Sequence, residues 1–178
     1  EGYGGEYQTV RGSFINGYYE NHSIKYSESA YGFPVTGETM VNVFDGQSII
    51  FKIDGEKFSI DNGTVIDVER KLDIRKGYSL RKMHWISPKG HELLFTYKRM
   101  TSFNYLELFT IDVIVKSINF NGIIEIISTL EKPEALENYN NDPRVAEHNI
   151  DPLIIDDIGT VNKSMYILGS TASSRLSV

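Results

Sequence analysis

The chain has no cysteine among its 178 residues, so neither disulfides nor thiolate metal sites hold it together. Cations are in the minority: 18 Lys+Arg against 24 Asp+Glu give a formal charge of −6. That balance excludes a nucleic-acid partner, because phosphate binding needs a basic stripe, and the densest cationic cluster, Arg70-Lys71 with Arg75-Lys76, is interrupted by Asp73. No apolar run approaches the ~18–20 residues that span a bilayer, and the opening EGYGGEYQTVRG is neither basic nor apolar enough for a signal peptide. The expectation is a cytoplasmic protein with no membrane partner. Opening at Glu1 in place of Met points to a piece of a longer chain.

Alanine is scarce too, occurring only at positions 30, 135, 146 and 172, while isoleucine outnumbers leucine by about two to one and there are 11 Tyr and 9 Phe. Such a composition gains little from helix propensity and suits a pleated, half-buried surface. The length fits one domain, 1–178, that buries roughly 70% of its unfolded surface. Ser48–Ile53 and Glu56–Ile60 flank Asp54-Gly55, the signature of a type I′ hairpin. Val65–Ile74 alternates with Asp67, Glu69, Lys71 and Asp73 on a wet side and Ile66, Val68 and, after a slip, Leu72 and Ile74 on the other. Tyr78–Ile86 and Glu92–Met100 flank Ser-Pro-Lys-Gly90, a second hairpin. Along Leu106–Ile118 the apolar set is Phe109, Ile111, Val113 and Val115, and a further strand runs from Ile123 to Leu130. Six or more strands in meander order predict an all-β, antiparallel β-sandwich without helices. Residues 133–157, with Pro133, Pro143 and Pro152, read as a long excursion, after which Ser164–Leu168 restores a strand.

Little catalytic chemistry is visible. The histidines at 22, 84, 91 and 148 show no metal-binding spacing, and no phosphate loop or serine-nucleophile signature occurs, so neither metal nor cofactor is expected. Asp67/Glu69 and Glu69/Asp73 have the separation of a glycosidase carboxylate pair. They alternate with Arg70, Lys71 and Arg75, however, which favours a solvated face of cross-strand ion pairs. The same logic assigns Asp73 and Arg75 to register-fixing pairs. Trp85 could be a sugar-stacking platform, but a lone Trp in a strand is more often core. His84 or His91 with Glu92 is the one nearby His/Glu combination a small mutarotase-like enzyme would require.

The series Asp67-x-Glu69-Arg70-x-Leu72-Asp73-x-Arg75-x-Gly77, then Leu80-Arg81, Trp85, Gly90 and Arg99-x-x-Ser102, resembles the N-terminal domain of glycoside hydrolase family 65, the family of maltose, trehalose and kojibiose phosphorylases and acid trehalases. Asn119-Phe-Asn-Gly122, Glu137-Asn-Tyr139 and Asp142-Pro-Arg-Val145 extend the likeness over roughly 65–146, while upstream it thins to Tyr7, Val10, Arg11-Gly12 and Val43-Phe44-Asp45. The resemblance implies a truncated supersandwich of the galactose-mutarotase-like type that supports a separate (α/α)6 barrel of the same polypeptide. There, a glutamate protonates the glycosidic oxygen while phosphate, the co-substrate, or water attacks with inversion. It further implies that the disaccharide is met through the barrel and that this chain alone is inactive; it leaves oligomeric state open between a monomer and a homodimer, family members being often dimers. Asn138, Asn141, Asp142 and Arg144 then become contacts to the barrel or its substrate loops, with Leu136, Val145, Ile150, Leu153, Ile154 and Ile155 as the apolar part of that surface. The rival reading is a free-standing carbohydrate-binding β-sandwich module, and the length of the encoding gene separates the two.

Overall fold

The computed structural model describes residues 12–24, 26, 28, 30–133 and 151–178. Asn138, Asn141, Asp142 and Arg144 lie outside these described residues. In chain order the strands are β1 (Phe14–Ser23), β2 (Thr36–Asn42), β3 (Ile49–Ile53), β4 (Glu56–Lys57), β5 (Thr64–Asp73), β6 (Tyr78–Ile86), β7 (Glu92–Thr101), β8 (Phe109–Ser117), β9 (Ile124–Ser128), β10 (Leu153–Val161) and β11 (Ser164–Thr171). All pairings between them are antiparallel, and no helix occurs among the described residues. The all-β architecture read from composition and alternation is thus the one found. The chain divides into two compact units.

One unit comprises residues 49–128. Its four-stranded sheet is a plain meander, β5-β6-β7-β8, and its three-stranded sheet runs β4-β3-β9. Together they bury one core: Phe51 and Ile53 from β3, Met83 and Trp85 from β6, and Leu93 and Phe95 from β7, with Phe58, Val65, Val113 and Val115 packed around it. This unit is a sandwich, and Trp85, fully buried, is core.

Local chemistry explains the turns. Asp54 and Gly55 both take positive φ, 48° and 82°, as a type I′ turn requires. At the β5–β6 connection Gly77 has φ 66°, its N–H donates to the Asp73 carbonyl (2.8 Å), and the Lys76 N–H donates to Asp73 Oδ1 (3.0 Å). Asp73 therefore ties a turn, and Arg75 stands inside that turn and not on the strand. The expectation that Arg75 alternates with Asp73 on one strand face in cross-strand pairs is corrected accordingly: Asp73 is the last ladder residue, opposite Tyr78, and a side chain two residues past the strand end no longer alternates with the pleat. Asp73→Asn, which keeps an acceptor oxygen, should change stability by no more than about 0.5 kcal/mol, whereas Asp73→Ala should cost about 1 kcal/mol, both measured by urea unfolding.

The slip in β5 also sits elsewhere than expected. The pairing shifts between Val65 and Asp67, so Ile66 is the extra residue of a bulge, and Val65 becomes the core-facing residue of the strand. β9 pairs with β3, from Ile49↔Ser128 to Ile53↔Ile124, and not with its sequence neighbour β8.

The other unit comprises the described residues of 12–48 and 129–178. It holds the β1–β2 and β10–β11 pairs, and its small core is Val41, Phe44 and Leu153, flanked by Leu130, Ile167 and Val178. Leu153, expected on a surface awaiting a barrel, is buried here within its own unit: past Pro152 the chain settles into period-two pairing with β11, Leu153 opposite Thr171. The β10–β11 turn is carried by Asn162 and Lys163 at φ 50° and 68°. Neither β1 nor β2 is legible as a strand in the sequence, where Gly, Asn and Ser dilute the alternation.

Candidate functional site

Register sorts the side chains of β5–β8 onto two faces, because successive residues of a strand point to opposite sides. Trp85 and Met83 fix the inner, core-facing side. The ladders then place Arg70 opposite Arg81, Arg81 opposite Tyr97, and Arg99 opposite Ser79, all on that inner side. The same ladders place Lys71, Lys82, Lys98 and Lys116 on the outer side, together with Asp67, Glu69, Asp73, Glu92 and Asp112. Every arginine of the sheet faces inward, every lysine faces outward, and no acid occupies an inner position.

Tyr97 stands where the apolar core gives way to the arginines. Its ring meets Phe51 edge-on (6.0 Å between centroids) and stacks on Phe95 (6.3 Å), while the Arg81 guanidinium lies 5.9 Å from its centroid. Burial pushes the Tyr97 phenol up to about 12 against the opposing fields of Arg81 and Arg99, so the group is a neutral hydrogen-bond donor over the whole physiological range. Arg99 Nε is buried without a hydrogen-bond acceptor. Beside these groups, also on the inner side, Val68 and Leu72 remain exposed, the latter to 68%.

The outer side carries ordinary solvated pairs. Lys82 Nζ meets Glu69 Oε2 at 3.0 Å with both side chains half exposed, a contact worth less than about 1 kcal/mol. Asp67 stands opposite His84 in the ladder. His84 Nε2 and Glu92 Oε1 are 2.6 Å apart. His91 lies against the Phe120 ring, with Asp54 Oδ2 at 3.8 Å. Glu69 thus faces Lys82, and Asp73 faces the backbone of its turn. Among the described residues no group of three or more His, Asp or Glu side chains is arranged for a metal.

Of the motif residues singled out in the sequence, then, Arg70, Arg81 and Arg99 come together across three strands, whereas Asp67, Glu69 and Asp73 lie on the opposite face and Arg75 in a turn. The inner Arg/Tyr cluster is a spaced-motif feature that reads as unrelated charges in one dimension. Its signal was parity: Arg81 shares the phase of Met83 and Trp85, and Arg99 that of Phe95.

The model of the glycosyl hydrolase family 65 N-terminal domain matches residues 1–178. The chain belongs to that family. Relatives include an α,α-trehalose phosphorylase of Geobacillus stearothermophilus, 36% identical over 169 residues that make up 94% of this chain and 22% of the relative. A second, from Thermoanaerobacter brockii, is 38% identical over 149 residues, 83% of this chain and 19% of the relative. A kojibiose phosphorylase of Halothermothrix orenii is 24% identical over 67% of this chain and 14% of its own length. This family 65 N-terminal domain chain therefore spans about a fifth of the length of the curated relatives it matches. Among its described residues no helix is long and apolar enough to cross a membrane.

Proposed function

We propose that the chain is the non-catalytic N-terminal domain of an inverting α-glucoside phosphorylase or hydrolase, a larger cytoplasmic, dimeric polypeptide in which an (α/α)6 barrel carries the chemistry. The observation behind this reading is one of extent: the family model accounts for all 178 residues, yet those residues correspond to only about a fifth of the trehalose phosphorylases. On that basis α,α-trehalose is the leading disaccharide and inorganic phosphate the co-substrate, with no further cofactor. The described residues agree with a supporting role, since general acid catalysis needs a carboxyl held beside the leaving oxygen in a water-excluded site, and Glu69 and Asp73 are instead spent on Lys82 and on a turn.

The purified chain, incubated with α,α-trehalose and phosphate, is expected to release no glucose 1-phosphate, and the full product of its gene is expected to release it. Release by the chain alone, in a preparation free of host enzyme, would overturn the non-catalytic assignment. A reading frame ending near Val178 would overturn the accessory-domain assignment and leave the free-standing binding module.

A further inference from the structure

The inner side of β5–β8 separates two kinds of cation with unusual completeness, and the two are not chemically equivalent. Lysine is a strongly hydrated point charge, whereas arginine presents a rigid planar fork that binds a carboxylate or phosphate through two parallel hydrogen bonds and tolerates partial burial. Arg70 and Arg81 are direct cross-strand partners, and like charges in that position repel. Arg70 and Arg81 each take part in a further interaction. Arg99, one ladder step away, has its Nε buried with no acceptor, and a buried donor without a partner is destabilising until an acceptor reaches it. The neutral Tyr97 hydroxyl adds a donor beside them. From these placements we infer that Arg99 and Tyr97, within the positive field of Arg81 and Arg70, form an oxyanion-binding site on the inner face of the four-stranded sheet.

The ligand class is a group with paired anionic oxygens, either inorganic phosphate from solution or a carboxylate. The site is built wholly from β5, β6 and β7. Isothermal titration of the full gene product at fixed ionic strength, with inorganic phosphate in one arm and malonate in the other, reads the site as the difference between wild type and Arg99→Gln. A phosphate site elsewhere in the polypeptide titrates equally in both proteins and cancels. The expected result is one site per chain weakened at least tenfold in Arg99→Gln and less in Arg99→Lys. Should Arg99→Gln not fold, as judged by circular dichroism, Tyr97→Phe keeps the ring packing and is expected to weaken the same site several-fold. Response to phosphate alone assigns free phosphate as the ligand, and response to malonate as well assigns a carboxylate. Identical titrations of wild type and variant in both arms, or no heat in either, overturn the inference.

Discussion

Trp85→Ala is expected to destabilise the 49–128 unit by about 3–5 kcal/mol, enough to consume much of the stability of a domain this size. Trp85 is completely buried in a nest of rings, with Phe58 at 4.9 Å edge-on and Phe95 at 6.4 Å. Its indole also lies flush against Gly63: a Cβ at that glycine would collide with Nε1. Removing the indole leaves a cavity that β3 and β7 cannot close without dragging Phe51 and Phe95 out of their packing. Because the indole N–H has no acceptor in its buried setting, Trp85→Phe should cost much less than alanine, the lost volume being offset by the loss of an unsatisfied donor. Urea unfolding followed by tyrosine fluorescence and circular dichroism gives both numbers. A loss below about 1 kcal/mol for the alanine variant would show that the core is not organised around this ring.

Acid should weaken the other unit through Glu20. This carboxylate, 3% exposed, accepts hydrogen bonds from Ser173 N–H (2.8 Å), Ser174 N–H (2.9 Å) and the Ser174 hydroxyl (2.6 Å), which clamps the turn after β11 onto β1. Burial by itself would raise the carboxyl, but the Ser174 and Ser173 donors overcome it and hold the group at about 2, down from its ordinary 4.5. A folded-state value below the unfolded one means stability that is complete above pH 4.5 and drains away as pH falls toward 2, amounting to about 3 kcal/mol. Glu20→Gln, which turns amide hydrogens toward backbone donors, should lose about 2–4 kcal/mol at pH 7. The gap between wild type and variant should narrow at pH 3, where the wild type has lost most of its advantage. A gap that stays constant from pH 7 to pH 3 would mean that the charge of Glu20 is immaterial and only its shape matters.

How much of this was legible in one dimension follows the range of the forces involved. The Asp54-Gly55 turn, the Ser-Pro-Lys-Gly90 turn, the meander of β5 to β8 and the core position of Trp85 were all readable, because a turn is decided by the φ preferences of two to five adjacent residues and a face by period-two alternation. β1, β2 and Glu20 were not, since a glutamate in a polar, glycine-containing stretch looks the same whether it lies in water or under three hydrogen-bond donors more than 150 positions away.

The sequence by itself determined the all-β class, the local turns and the family likeness, whereas the ladders were needed to put arginines and lysines on opposite sides of the sheet. Tertiary structure alone decided what each side meets. β9 crosses the interval from residue 124 back to residue 53 to complete the sheet over Trp85 and Phe95, and the inner positions at Arg70, Leu72, Arg81 and Arg99 lie beyond the buried cluster. Alternation is a local property of the backbone, whereas cover depends on a long loop closure whose reward, burial of Phe51 and Ile53, appears only once both sheets are in place.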